Sequence, residues 1–408
     1  MATLSIYDHL LMGSPLRRRG ACIVISAALA LVLAFATIVH LGLLAGMRFD
    51  VVLVFYQALV ISSLLALVPI MVLWFLDRRE RETPSLCVAA FLWGGCIATA
   101  LSLPFNTAFF RIIDIWVAQN PILTEVLGPQ ATVLIAAPIS APIAEEIAKA
   151  AGVLLLFWLL RAEFDNMRDG FIYGALIGIG FNWFEAALYV AQGYAQHGEA
   201  PYGLQFGFRY ALFGLGGHAL FTGLFGVSVG LAMQTQRMWL RILAPIGGLI
   251  LAMAAHMINN VLPLFAALAN AEAGESPQQV EELPSMGFLS AFITGSMIQL
   301  MIFVPFFLII ALAVWRSGVW ERRVIREELA AEVGSLLSAD EYSGILHDRM
   351  LRTRRIDRMH PRASAALVNA QHELAFRKRR VRDEGSDPEQ DPLVAGWRED
   401  IRRLRDVA

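Results

Sequence analysis

The sequence predicts an all-α protein: a polytopic membrane helix bundle of about eight transmembrane helices with a cytoplasmic helical C-terminal tail. Of the 408 residues, 57% are hydrophobic and only 17% are charged, whereas a soluble domain carries about 25% charged residues. A helix needs about 20 apolar residues to cross a bilayer. Eight stretches meet that length, near residues 21–46, 51–76, 86–108, 131–160, 170–195, 208–234, 239–268 and 287–315.

Arginines in the short loops predict how these spans are oriented, because cytoplasmic loops carry an excess of basic residues. Basic residues precede the first span and follow spans 2, 4, 6 and 8, whereas the connection after span 7 is acidic. We therefore expect a multi-pass protein of the cell (inner) membrane with both termini in the cytoplasm. The basic loop residues are Arg17, Arg18, Arg19, Arg78, Arg79, Arg81, Arg161, Arg168, Arg237 and Arg241, and the acidic ones are Glu272, Glu275, Glu281 and Glu282.

Composition divides the chain into three parts: a cytoplasmic N-terminus at 1–20, a membrane domain at 21–316 and a charged, mainly helical cytoplasmic tail at 317–408. The first span is too long for a cleavable signal peptide, so we expect a signal anchor. Residues 109–130 are predicted to form an interfacial segment on the outer side.

The tail holds more than half of the lysines and arginines but also many acids. This mixture leaves no basic footprint for nucleic acid, and no such partner is expected. Helical spacing is interrupted at Gly334 and near Pro361, and a polar linker from Glu384 to Pro392 precedes a short final helix. A solvated helical appendage is the plainest interpretation, and a regulatory or partner-binding role is the alternative.

Ionisable side chains inside the spans are the functional candidates, because each costs a few kcal/mol or more in the bilayer. In span 4, Lys149 follows Glu145 by four residues and Glu146 by three, so the ammonium can reach either carboxylate. Pro138 and Pro142 free backbone carbonyls one turn earlier and are predicted to bend the helix. A structural ion pair would explain a single Glu–Lys pair. However, the chain has only two lysines beside 31 arginines, which favours a need for a compact ammonium here.

Spans 5, 6 and 7 each add one ionisable residue. Glu185 follows a run of glycines, His218 lies among small residues, and His256 shares a helical face with Asn260. Taken singly, a histidine in a span more often forms an interhelical hydrogen bond than it binds a ligand, and Glu185 could be a packing carboxylate bonded to another helix. We adopt that interpretation for His40 in span 1, which has no companion motif.

Taken together, three glutamates and two histidines near the middle of four consecutive spans indicate hydrolytic chemistry. Carboxylate plus imidazole is a common ligand set for zinc, and a nearby carboxylate can act as the base for a metal-activated water. The same groups could instead activate water without a metal, with glutamate as base and histidine or asparagine as oxyanion donors. Either chemistry would hydrolyse an amide inside the membrane.

The ordered motifs of spans 4 to 7 resemble the PrsW family of intramembrane proteases, which is related to the CAAX prenyl proteases and the bacteriocin-processing proteins. The resemblance covers roughly residues 131–266, the expected catalytic core. One departure is Ala186, which stands where the family pattern carries an asparagine after the glutamate, so that asparagine's role is missing here. The matching motifs are Glu145-Glu146-x-x-Lys149, Asp169…Tyr173-Gly174, Phe181-x-x-x-Glu185, His218-Ala-Leu-Phe-Thr and His256-x-x-x-Asn260.

This resemblance implies an intramembrane protease that hydrolyses peptide bonds of membrane-anchored proteins, including regulated proteolysis of a signalling factor. One of the paired glutamates would act as the base for water, and Asn260 would support His256 or the oxyanion. A Zn²⁺ ion would be held by Glu146, Glu185, His218 and His256, and a metal-free glutamate mechanism is the alternative. The catalytic residues would be Glu145, Glu146, Lys149, Glu185, His218, His256 and Asn260.

Two other functions fit the same residues. Buried glutamate, lysine and histidine also form proton relays in membrane transporters, although the two halves of this chain lack the internal repeat common in such folds. A catalytically inactive relative that binds membrane partners is the third hypothesis, and the intact set of site residues argues against it.

Overall fold

The computed structural model describes residues 14–77, 82–160, 164, 166–273, 287–347 and 361–407. In these ranges the chain is an all-α bundle without strands, which confirms the predicted fold class. The helices are Arg19–Ala45 (α1), Phe49–Leu76 (α2), Pro84–Ala118 (α3), Pro121–Leu127 (α4), Ala131–Leu159 (α5), Met167–His197 (α6), Tyr202–Gly214 (α7), His218–Gln234 (α8), Met238–Glu272 (α9), Phe288–Leu329 (α10), Ala339–Leu346 (α11), Pro361–Asp383 (α12) and Pro392–Val407 (α13).

Seven of the helices in the described ranges are long and apolar enough to cross a membrane, namely α1, α2, α3, α5, α6, α9 and α10. They coincide with seven of the eight predicted spans. Part of the predicted orientation depends on loop residues outside the described ranges, namely Arg78, Arg79, Arg81, Arg161, Glu275, Glu281 and Glu282.

The sixth predicted span is not a continuous helix. α7 ends at Gly214 and α8 begins at His218. Gly214 and Gly217 have φ angles of +81° and +56°, in the left-handed region that glycine adopts without strain. Asn182 of α6 accepts the N–H of His218 at 3.3 Å and donates to the carbonyl of Gly216 at 3.1 Å. A residue of another helix therefore stabilises the break.

α3 runs further than predicted. It extends to Ala118 and so takes in the first half of the predicted interfacial segment at 109–130. No proline or glycine interrupts this stretch until Pro121, where the short helix α4 begins. A π-helical turn at Trp93–Ala98 lies within α3 and packs against α6.

α6 is the central helix, buried along most of its length against α2, α3 and α8. Asn166 caps its start: Oδ1 accepts the N–H groups of Arg168 and Asp169 at 2.8 and 3.3 Å. The Asp169 carboxylate in turn accepts the Asn166 N–H at 3.0 Å, which completes a capping box. Gly178 lets α8 approach closely, because a Cβ there would collide with the carbonyl of His218. The small-residue face of α6 thus sets the position of His218.

The C-terminal part of α10 binds the start of α6. Ser317 donates to Asn166 Oδ1 at 2.7 Å, and Arg168 forms a buried ion pair with Glu321. α10 continues through the predicted domain boundary at 316 without a break.

A second hydrophobic core lies in the C-terminal unit, which we define as α10 from Glu321 onward together with α11, α12 and α13. Lys378, the second of the two lysines, is buried there and donates to the Glu332 carboxylate at 2.6 Å and to the Glu328 carbonyl at 2.9 Å. α12 begins at Pro361 and α13 at Pro392. Residues that form this core include Leu329, Leu367, Leu374, Val394 and Ile401.

Candidate active site

Six ionisable side chains from four helices meet in one cluster. All except Glu185 are at most 5% exposed, and the Glu185 side chain is 12% exposed. The cluster, which we call the Glu–His cluster, consists of Glu145, Glu146 and Lys149 of α5, Glu185 of α6, His218 of α8 and His256 of α9. Six of the seven residues predicted to be catalytic therefore lie together.

Lys149 binds one of the two carboxylates that its spacing allows. Its Nζ donates to Glu146 Oε1 at 2.6 Å and lies 3.9 Å from Glu145 Oε2. The same Nζ is 2.7 Å from Nδ1 of His218 and 4.2 Å from the centre of the Phe181 ring. A compact ammonium with three donors fits between these groups, whereas a planar guanidinium has a different shape and reach.

Glu146 uses both carboxylate oxygens within the cluster. Besides Lys149, Oε1 lies 3.0 Å from Nδ1 of His256, and Oε2 accepts the Thr222 hydroxyl at 3.3 Å. An ionised carboxylate can only accept, so the hydrogen-bond network assigns the His256 proton to Nδ1. Nε2 of His256 is then left with a lone pair.

His218 takes the opposite tautomer. The Lys149 ammonium has no acceptor, so Nδ1 of His218 accepts and Nε2 carries the proton. Nε2 donates to Glu185 Oε2 at 2.7 Å. The nitrogen without a proton is therefore Nδ1 in His218 and Nε2 in His256.

Glu145 has one bonded oxygen and one without a partner. Oε1 accepts the Asn106 amide at 3.0 Å. Oε2 is buried and has no hydrogen-bond partner, although Nε2 of His218, Nε2 of His256 and Nζ of Lys149 each lie 3.9 Å away. Buried polar atoms without a partner are uncommon and call for an explanation, such as a catalytic role or a bound ion.

The free oxygen of Glu145 also belongs to a group that could hold a metal ion. In the described part of the chain, one ligand atom each from Glu145, His218 and His256 lies within 4.8 Å of the others. One carboxylate and two imidazoles are a zinc donor set. The sequence-based ligand set contained Glu146 and Glu185 instead of Glu145, and it stays a prediction. In this structure those two carboxylates bond Lys149 and Arg209.

Arg209 of α7 is a site residue that the sequence analysis missed. It donates to Glu185 Oε2 from Nε at 3.1 Å and from Nη2 at 3.0 Å, and to Gln205 Oε1 at 2.6 Å. Its guanidinium also lies over the Tyr189 ring, 4.9 Å from the ring centre. The sequence did contain a signal for Arg209, because it is an ionisable residue inside the apolar stretch at 208–234.

Two neutral amides near the cluster were also missed. Asn182 bonds the backbone around His218, as described above. Asn106 of α3 bonds Glu145, and its own Oδ1 accepts the hydroxyl of Ser140 at 2.6 Å. Neither asparagine carries a charge, so the search for ionisable residues in the spans passed over both.

Asn260, the seventh predicted residue, lies one turn from His256 and outside the cluster's direct contacts. It donates to the carbonyl of Ala137 on α5 at 3.2 Å and accepts from Asn259 at 3.0 Å. His40, which was predicted to be an interhelical hydrogen bonder, lies 3.1 Å from the Thr99 hydroxyl of α3.

Comparison with protein families gives one match. The model of a family described as PrsW family intramembrane metalloprotease matches residues 82–310, more than half of the chain. This range contains all seven predicted site residues as well as Asn106, Asn182 and Arg209. Comparison with curated proteins and with solved structures gives no match.

Proposed function

The chain belongs to the PrsW family of intramembrane metalloproteases, and from that premise we propose an endopeptidase that hydrolyses membrane-anchored proteins at the Glu–His cluster. The free Oε2 of Glu145 carries this proposal. It is a buried carboxylate oxygen with no hydrogen bond of its own, surrounded by three nitrogens at 3.9 Å. Such an atom is suited to accept a proton from an attacking water.

The other residues of the cluster are suited to hold the imidazoles and the peptide. Glu146 and Lys149 bond the Nδ1 atoms of His256 and His218, which fixes the orientation of both rings. Nε2 of His218 is a donor close to Glu145 and could stabilise negative charge that develops on the peptide oxygen. Asn260, one turn from His256, would support the same region through its hydrogen bond to the Ala137 carbonyl of α5.

A zinc ion is the alternative to these two roles and fits the same donor set, since the orphaned Oε2 of Glu145 faces the Nε2 atoms of His218 and His256. We propose that Glu145, His218 and His256 would hold it, with Glu185 beside His218. Zinc supplies Lewis-acid chemistry at such a site. Because metal ligands must be deprotonated, binding through Nε2 of His218 would release that proton and would leave the ring proton on Nδ1, with the neutral amine of Lys149 as its acceptor. Glu146 and Lys149 would then act as the outer partners that orient the imidazoles.

Cleavage is expected in the outer half of the bilayer. His218 begins α8, a helix of 17 residues that ends beside Arg237, in a loop predicted to be cytoplasmic. At about 1.5 Å per residue, the cluster lies about 25 Å from that end of the helix. A protein of the cell (inner) membrane with both termini in the cytoplasm would thus attack single-span proteins near their outer end. Regulated proteolysis of a signalling factor is the proposed role.

The test is cleavage of a panel of single-span membrane proteins by the full chain reconstituted in liposomes. The variants are Glu145→Gln, Glu146→Gln and His256→Ala, and His40→Ala is the matched control because this histidine lies outside the cluster. We expect the wild type and His40→Ala to cut and the other three variants to be inert while melting like folded protein. Metal content of the same samples, before and after a chelator, distinguishes the zinc mechanism from the metal-free one.

Activity in Glu145→Gln, or in all three cluster variants, would overturn the proposal. Absence of cleavage by the wild type across the panel would do the same. In that case, proton flux in the same liposomes would test the transporter hypothesis, and co-purification of an intact membrane protein would favour the inactive relative.

A further inference from the structure

We propose that Asn106 is a positioning residue that fixes the Glu145 carboxylate for the reaction, with Ser140 as its support. This inference rests on the proposed function, in which Glu145 is the reactive carboxylate. Asn106 lies on α3, outside the four helices that supply the Glu–His cluster.

A short chain of hydrogen bonds connects the two helices. The Ser140 hydroxyl donates to Asn106 Oδ1 at 2.6 Å, and Asn106 Nδ2 donates to Glu145 Oε1 at 3.0 Å. Ser140 and Glu145 are both on α5 and are 1% and 4% exposed. The opposite orientation of the amide would set its oxygen against a carboxylate oxygen, so these contacts favour one orientation.

The hydrogen bond from Asn106 to Oε1 also determines the position of Oε2, the other oxygen of the Glu145 carboxylate. The two oxygens share one carbon, so holding Oε1 determines where Oε2 points. Oε2 then lies at 3.9 Å from Nε2 of both His218 and His256. Asn106 is thus the group that keeps the reactive oxygen between the two imidazoles.

The Lys149 ammonium competes with Asn106 as a hydrogen-bonding partner for the Glu145 carboxylate. Its ammonium already binds Glu146 at 2.6 Å and stands 3.9 Å from Glu145 Oε2. Without the Asn106 donor, Glu145 would gain by turning toward this cation. A displacement of about 1 Å in a catalytic group can cost about 100-fold in rate.

The experiment compares Asn106→Leu, Ser140→Ala and the double variant with the wild type on one cleavable substrate. Thr107→Val is the matched control, because the neighbouring Thr107 hydroxyl bonds Leu103 of its own helix at 2.8 Å. For Asn106→Leu we expect kcat to fall about 10- to 100-fold, with KM within about threefold of the wild type. Ser140→Ala should lower kcat less, and in the Asn106→Leu background it should lower it no further.

Three results would overturn the inference: an unchanged kcat for Asn106→Leu, a loss confined to KM, or independent effects of the two substitutions. If Asn106→Leu does not fold, as judged by its melting temperature, Asn106→Asp answers the same question by the same kcat criterion. It keeps the shape and, when ionised, has no donor for Glu145. Glu145→Gln separates the two proposals: an active Glu145→Gln overturns the proposed function, whereas an inert one beside a fully active Asn106→Leu overturns only the role of Asn106.

Discussion

At the scale of single residues, the cluster gives two of its three carboxylates a cation of their own. Glu146 lies 2.6 Å from the Lys149 ammonium and Glu185 lies 3.0 Å from the Arg209 guanidinium. The nearest donor to Glu145 is the neutral amide of Asn106. The two pairs therefore hold the cluster together and leave Glu145 with a buried oxygen that has no hydrogen-bond partner.

Arg209→Met should destabilise the protein, because it leaves Glu185 as a buried charge without its cation. Breaking a buried pair by removing one partner costs about 3–5 kcal/mol. The double variant Arg209→Met/Glu185→Gln should recover a large part of that loss. Melting temperatures in detergent micelles measure both effects, and equal melting temperatures for the single and the double variant would contradict this account.

Lys149→Arg should lose activity although it keeps the charge. Lys149 is fully buried among Glu146, His218 and the Phe181 ring, and a longer planar fork would displace at least one of them. We expect a loss of about 100-fold in kcat, measured on the same substrate, with Arg237→Lys in the loop after α8 as the control exchange. Wild-type activity in Lys149→Arg would show that the site needs only the charge.

Sequence reasoning found the six ionisable residues of the Glu–His cluster because such residues are rare in apolar spans, but it missed Arg209. It could not find Asn106, Ser140 or Asn182, whose roles depend on partners from other helices. Asn182 supports the backbone before His218 across a chain separation of 36 residues. Spacing along one helix does not reveal contacts of this kind.

At the scale of helices, close contact between α6 and α8 sets the depth and direction of His218. Glycine on α6 makes this contact possible, as the position of Gly178 against the His218 carbonyl shows. The hydropathy of residues 208–234 is typical of one continuous span. The small residues at the break do not reveal it, because such residues are also common where membrane helices pack. The break itself depends on Asn182 of α6, so the local sequence could not predict it.

Gly178→Ala should impair the enzyme although the change is one methyl group. The new Cβ would meet backbone, which cannot turn away as a side chain can, so α8 and His218 must shift. We expect a lower melting temperature and a fall in kcat of about tenfold or more. Gly247→Ala on α9 is the matched control, because a Cβ there meets nothing within 4 Å. Equal behaviour of the two variants would contradict the close-contact argument.

At the scale of the whole molecule, the bundle and the C-terminal unit are joined through α10. Ser317 and Glu321 of α10 bind the start of α6, and the same helix continues into the core of the C-terminal unit. The membrane bundle could be predicted because composition and span length depend on local sequence. The packing of α12 on α10 and of α13 on α12 could not be predicted, since the charged tail shows no comparable apolar stretch.

Lys378→Met should loosen the C-terminal unit. It removes a buried donor from Glu332, which keeps its contact with Arg398 at 2.6 Å. We therefore expect a loss of about 1–3 kcal/mol. Faster chymotrypsin cleavage within 321–407 would report it. Arg402→Gln is the control, because its ion pair with Glu399 is exposed and contributes little. Equal cleavage rates for both variants would contradict the structural role of Lys378.

The break between α7 and α8 has an electrostatic consequence as well. A continuous helix would bury no free end at the depth of the Glu–His cluster, but α8 starts there at His218. The aligned peptide dipoles of a helix place about half a positive charge at its N-terminus. Three carboxylates lie in this region, those of Glu145, Glu146 and Glu185. The macrodipole of α8 points its positive end at them and favours negative charge on them inside the bundle.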